Sequence, residues 1–174
     1  MILNIFFLDT CPKMAARYLG NKHVVKMTLE SAQMLCTIQR GYGNTHPKLY
    51  KSAYANHPCT KWAGSHRLNY MWLLEHFKAL MEEYTFRFKR KHRCSELLPL
   101  VENVPYGMPD GFTLPPQCVH EDCKVPNDPV AAYRLDYNRH KSHLHHWGNR
   151  HVPWWANKSK AFEFTTTTDG GTEA

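Results

Sequence analysis

Apolar positions along this chain recur mostly with the helical period. The longest such run lies at 66–90, where Tyr70, Leu73, Leu74, Phe77, Leu80, Met81, Tyr84 and Phe88 return every three or four residues. It predicts the principal core helix. A second helix is predicted from about Asn21 to Arg40, with Val25, Leu29, Ala32, Leu35 and Cys36 on one stripe and His23, Lys26, Glu30, Gln33 and Thr37 on another. Ahead of it, "ILNIFFLD" (2–9) is a continuous apolar run closed by Asp9, read as a short buried strand or an extended arm laid over the core. Between them "PKMAARYLG" forms a short helix, with Asp9 or Thr10 as cap, Pro12 in the first turn and Gly20 as the stop.

"GYGNTHP" (41–47) breaks the pattern with two glycines and a proline, and "PKLYKSAYAN" is expected to carry a further short helix ending before Pro58. From Pro99 to Pro129 the chain is rich in proline, an irregular loop whose Tyr106 and Phe112 should pack onto the domain. Asn127 or Asp128 then caps a last helix with Pro129 in its first turn. Val130, Tyr133, Tyr137, Leu144 and Trp147 supply its apolar side, and Gly148 and Pro153 stop it. No stretch alternates long enough for a sheet. The pattern predicts a mainly α, compact single-domain helical bundle over 1–160, with a short N-terminal extended arm, a long Pro-rich loop and a flexible tail at 161–174.

Composition changes the picture in one respect. A formal charge of +7 with 13% aromatic residues favours an anionic partner, and cations with aromatics suit nucleic acid, although a basic surface also serves solubility. No run approaches a membrane span. The six cysteines (Cys11, Cys36, Cys59, Cys94, Cys118, Cys123) follow an opening segment unlike a secretory signal, so reduced thiols and a cytoplasmic location in a bacterial host are expected.

The candidate chemistry starts with His23, Lys26 and Glu30, which share one helix face at spacings of three and four. A carboxylate can act as general base, a lysine as an amine nucleophile and a histidine as proton carrier. An ordinary solvated face with an i, i+4 ion pair explains the same residues. "YANHPCTKW" offers Asn56 and His57 for base edges and Lys61 and Trp62 for phosphate and stacking, or simply a turn before a buried tryptophan. The run "RFKRKHR" supplies Arg87, Lys89, Arg90 and Lys91 for phosphates, or a solvated helix end. Lys22 near the start of the chain, with Arg134, Arg139, His143, Trp147 and Arg150 near its end, completes the expected nucleic-acid contacts. The histidines 140, 143, 145, 146 and 151 fit metal, nucleic acid or plain surface. "CVHEDC" places Cys118 and Cys123 around His120, but no second ligand pair at finger-like spacing accompanies them, so neither a metal nor a cofactor is assigned.

Three segments carry a resemblance: "NIFFLDTCPKMAARYLGNKHVVKMTLESAQ", "ANHPCTKWAGSHRLNYMWLLEHFKALMEEYTFRF" and "PVAAYRLDYNRH" with the later "VPWW". Together they resemble a family of small tailed-phage proteins of largely unassigned function. More distantly, their order is similar to the phage pyrimidine-dimer DNA glycosylases of the endonuclease V type. The resemblance implies a monomeric helical enzyme acting on DNA, a base-excision glycosylase/lyase or a base-modifying relative. A nucleic-acid-binding protein without chemistry is the alternative. Those glycosylases use the α-amine of a small residue exposed behind the initiator methionine, where this chain has Ile2. The resemblance therefore implies an amine from Lys26 or Lys22 and a carboxylate from Glu30.

Overall fold

A computed structural model describes residues 3–157; Met1, Ile2 and the tail expected at 161–174 lie outside them. The described chain contains helices α1 (Pro12–Arg17), α2 (Asn21–Gly41), α3 (Pro58–Ala63), α4 (Arg67–Phe88), α5 (Leu98–Val101) and α6 (Pro129–His140). Tight 3-10 turns at Arg93–Leu97, Glu121–Cys123 and Ser142–Leu144 join or extend them, and no strand occurs among the described residues. The fold is all-α, as the periodicity predicts.

α4 is the hub. It packs along both α1 and α2, burying Tyr70, Leu73, Phe77 and Leu80 completely. The N-terminal segment is the extended arm, and its side chains Leu3, Ile5, Phe6, Phe7 and Leu8 are all buried. Burial on both faces explains why its sequence reads as an unbroken apolar run. Phe7 meets Trp72 at 4.6 Å between ring centroids, while Phe6 turns the opposite way to meet His23 at 4.6 Å. That reversal uses a left-handed backbone at Phe6 (φ 46°), and the Asn4 side chain secures it by accepting from the Ile5 and Phe6 N–H groups.

Four expectations need correction. Tyr106, expected to pack onto the domain, is fully exposed. On α2, Val25 and Leu29 are not core residues: both are 42% exposed, and Val24, Met27, Met34, Leu35 and Ile38 carry the packing. The helix is wrapped on several sides, so its buried arc includes polar groups that a hydrophobic count assigns to solvent. Among them Thr28 donates to the Val24 carbonyl, Gln39 to Tyr70 Oη and the Asn103 carbonyl, and Thr37 to the Ala53 carbonyl. The segment 47–56 forms no helix, because the Arg40 guanidinium takes the Leu49 and Tyr50 carbonyls that helical bonds would use. The last helix ends at His140 rather than near Gly148. The chain turns back there, so that Trp147 donates to the Tyr18 carbonyl and the His146 carbonyl receives the Asn21 N–H.

A buried ion cluster ties these parts together. Glu83 on α4 accepts from Arg87 Nε at 3.0 Å and from Arg150 Nη2 at 2.6 Å, with Arg17 Nε at 3.8 Å. Arg87 spends its remaining donors on the Leu19 and Arg17 carbonyls and on Asn21 Oδ1. Removing one partner of such a cluster leaves buried charge uncompensated. Glu83→Ala is expected to lower the unfolding free energy by about 3–5 kcal/mol in urea titration. A loss under about 1 kcal/mol would show that water reaches these arginines.

Candidate active-site cleft

The first two turns of α2 face a cavity of about 840 Å³. Lys22, His23 and Lys26 form one wall, Asn4 and Phe6 of the arm its floor, and His57 one edge. Cys118, Val119 and His120 of the Pro-rich loop, Asp136 on α6, and Lys141 and Leu144 beyond it close the far side. Gly20 is what allows the α2 terminus to sit so close to the returning chain. A Cβ there would stand 2.9 Å from the Leu144 carbonyl oxygen, under any normal contact distance.

Glu30 lies one turn deeper than Lys26 and is 8% exposed. Its Oε1 is 3.3 Å from Lys26 Nζ, and its Oε2 accepts the Asn4 backbone N–H at 3.1 Å. Burial raises the carboxyl pKa, against the opposing pull of the Asn4 N–H and Lys26. The polar stripe is therefore not a solvated face: it joins arm to helix beside a cavity. His23 is buried as well, with Nδ1 2.8 Å from Tyr137 Oη. That hydroxyl already accepts the Gly20 N–H at 2.9 Å, so its own proton is the one available to Nδ1, which leaves Nε2 protonated. Burial, with Lys26 next, lowers the His23 pKa to about 4. This ring is a neutral hydrogen-bonding group at pH 7, not a cation for phosphate.

The opposite wall holds pairings the sequence did not single out. Asp136, 2% exposed, accepts from the His120 ring at 2.6 Å and from its backbone N–H at 3.1 Å. The His120 ring stacks on His140, whose Nε2 reaches Asp122. Cys118 sits beside Cys59, sulfur to sulfur at 3.6 Å. The Cys59 thiol donates to Cys118, which falls to about 7, whereas Cys59 is pushed well up. Cys118 and Cys123, neighbours in "CVHEDC", thus part company: Cys123 turns to Asp122. No local pattern announces these pairs, because their members lie 16 and 59 residues apart.

The structure brings Lys22, His23, Lys26 and His57 together around the cleft, with Glu30 behind them. Five expected nucleic-acid contacts are instead packing groups. Arg87 is buried against Glu83, and Arg150 joins the same carboxylate while lying 3.8 Å over the Phe86 ring. Trp62 and Trp147 are buried, donating to the Thr113 and Tyr18 carbonyls. Arg134 binds Asp9 and the Leu8 carbonyl among Tyr18, Trp154 and Trp155. Arginine and tryptophan serve both recognition and packing, and composition alone does not separate the two uses. Asn56, Lys61, Lys89, Arg90, Lys91 and His143 are exposed and line no part of the cleft, and Arg139 pairs with Asp122.

The family model described as pyrimidine dimer DNA glycosylase matches residues 3–96. The match spans the arm and α1 to α4, and so includes Asn4, Lys22, His23, Lys26, Glu30 and His57. It ends before Cys118, His120 and Asp136. Among curated proteins and among solved structures, nothing matches the chain.

The buried histidines make stability depend on pH. His76, fully buried against Trp72, is lowered to about 4 by burial, as His23 is. Between pH 4 and about 6.5 the unfolded chain binds more protons at these two rings than the folded one does, so stability is complete above that window and lost as pH falls through it. Glu30, raised by burial, works with the opposite slope. At pH 5 each ring is expected to remove roughly 2 kcal/mol relative to pH 7. Urea unfolding at both pH values checks this, since His76→Asn should shrink the difference; an unchanged difference would place His76 in contact with solvent.

Proposed function

As the chain belongs to the pyrimidine dimer DNA glycosylase family, we propose that it excises a damaged pyrimidine base from DNA through an imine intermediate. The observation that carries this reading is the Lys26–Glu30 pair, an amine and a buried carboxyl at the edge of a cavity large enough for an extruded nucleotide. Lys22, Lys26 and Lys141 give the mouth its positive charge, which suits the flanking phosphates.

In this reading Lys26 first passes a proton to its partner Glu30, and the freed amine attacks the sugar C1′. The N–C1′ bond forms as the glycosidic bond breaks, and its electron pair leaves with the base, which takes a proton from solvent or a neighbouring acid. Glu30 accepts a proton from the new ammonium and returns one to O4′, opening the ring and giving the imine. A carboxyl whose pKa is raised by burial suits both halves of that exchange. The neutral His23, holding Nε2–H toward the cleft, supplies a hydrogen bond for the base or the sugar oxygen.

Borohydride added during reaction with ultraviolet-irradiated or abasic duplex should trap a covalent adduct, mapped to Lys26 by peptide mass spectrometry. Lys26→Met should abolish it. An adduct surviving in Lys26→Met would move the amine elsewhere, and no excision by the wild type on irradiated DNA would sink the reading. Glu30→Gln is expected to slow turnover about 10²- to 10⁴-fold with little change in DNA affinity.

Affinity should also report the charged mouth. Lys22→Gln with Lys141→Gln is expected to flatten the plot of log affinity against log salt by close to 2, about 0.9 for each lost phosphate contact. The corresponding pair Lys89→Gln and Lys91→Gln should change it by less than about 1. Equal effects from both pairs would mean that DNA does not enter by the cleft.

A further inference from the structure

We propose that Cys59, Cys118 and His57 hold a soft divalent cation, zinc by its ligand chemistry, in the wall of the cleft. One ligand atom from each residue lies within 4.8 Å of the other two. The two sulfurs stand 3.6 Å apart, close to the roughly 3.8 Å that tetrahedral zinc with bonds of about 2.3 Å imposes on two thiolates. The ligands come from two distant segments that the fold secures independently. Cys59 lies in the first turn of α3, while Cys118 is anchored through its carbonyl by Asn4 Nδ2 at 2.9 Å and through its N–H by Tyr133 Oη at 3.2 Å.

The chemistry balances. Binding releases one proton from each thiol, and the two thiolates neutralise the dication, so no net charge is left in the wall beside the fully buried Cys59. The Tyr133 hydroxyl and the Ile5 N–H lie near the sulfurs but donate to the Pro116 carbonyl and to Asn4 Oδ1, so support for the thiolates falls to the metal itself. Two bonds are exchanged: the Cys59 thiol's bond to Cys118, and the α3 cap, in which His57 Nδ1 accepts the Cys59 N–H at 3.1 Å. His57 and Cys118 both line the cavity, so the fourth position opens to it. Three protein ligands with an open fourth site are the pattern of zinc that meets water or substrate, not of a closed structural site.

Other clusters are weaker. In the group of His120, Asp136 and His140, the His120 Nδ1 is taken by Asp136, the His140 Nε2 by Asp122, and the rings stack face to face. Cys36 and Cys94 are buried thiols, and His92 accepts the Cys94 N–H, but no group of three candidate ligands includes them among the described residues.

The site shares the cleft but its test needs no DNA, so it succeeds or fails independently of base excision. Protein produced without an affinity tag in zinc-supplemented medium is dialysed and its metal measured by mass spectrometry. One zinc per chain is expected, and cobalt substitution should give sulfur-to-cobalt charge-transfer bands. Cys118→Ser should weaken zinc binding about a hundredfold or more and His57→Gln at least about tenfold, while Cys123→Ser leaves it unchanged. Circular dichroism of wild type stripped by chelator, and of each variant, separates lost ligand from lost fold. Less than a tenth of an equivalent in the wild type, binding that survives Cys118→Ser, or a Cys59–Cys118 disulfide in fresh protein would overturn the proposal.

Discussion

The charge on Glu83 is the constraint from which the rest of the arrangement follows. A carboxylate buried near the C-terminal end of α4 needs compensation, and the chain supplies it from Arg17, Arg87 and Arg150. Meeting that need draws the end of α1, the hub helix and the returning C-terminal segment to one point. Arg87 then holds the last carbonyl of α1, the Leu19 carbonyl in the link that follows and the Asn21 side chain at the start of α2, which helps set where α2 begins. Lys22, His23 and Lys26 occupy its first two turns, so the direction in which they point is decided by an ion cluster they never touch.

The cleft shows a second economy. Polar groups buried for structural reasons are the ones that shape it. Tyr137 satisfies Gly20 and in doing so fixes the proton arrangement of His23; Asn4 stabilises a left-handed Phe6 with its side chain while its N–H addresses Glu30. Strain of this kind persists where neighbours over-determine it, and here the neighbours are the cleft itself.

Much of the fold was legible because period and punctuation agree. α4 announces itself by its rhythm, α1 by Pro12, α6 by Asp128 and Pro129. The end of α6 was not, since Leu144 and Trp147 continue its spacing but are held by the far end of the chain. The phase of α2 was misread because Val25 and Leu29 are apolar and exposed while Glu30 and His23 are polar and buried. For the site, Lys22, His23, Lys26, Glu30 and His57 could be named from their types and spacing. His120 with Asp136, and Cys59 with Cys118, could not, because each pair exists only through a tertiary contact between loop and helix. Arg87, Arg134, Arg150, Trp62 and Trp147 show the reverse error, residues of recognition chemistry spent on packing.

The contacts that complete the cleft are among the longest in the chain. Asn4 meets Cys118 across 114 residues, His23 meets Tyr137 across another 114, and Asn21 meets His146 across 125. Loop closure over such separations comes late, after local helices and the α2–α4 pair have formed. During synthesis the matched segment 3–96 leaves the ribosome with one wall and no other, and the cleft closes only after α6 and the segment beyond it have emerged. A chain cut short before Cys118 therefore carries the lysines and the floor without any of the residues of the enclosing wall, which makes the C-terminal third the lock on when this protein becomes itself.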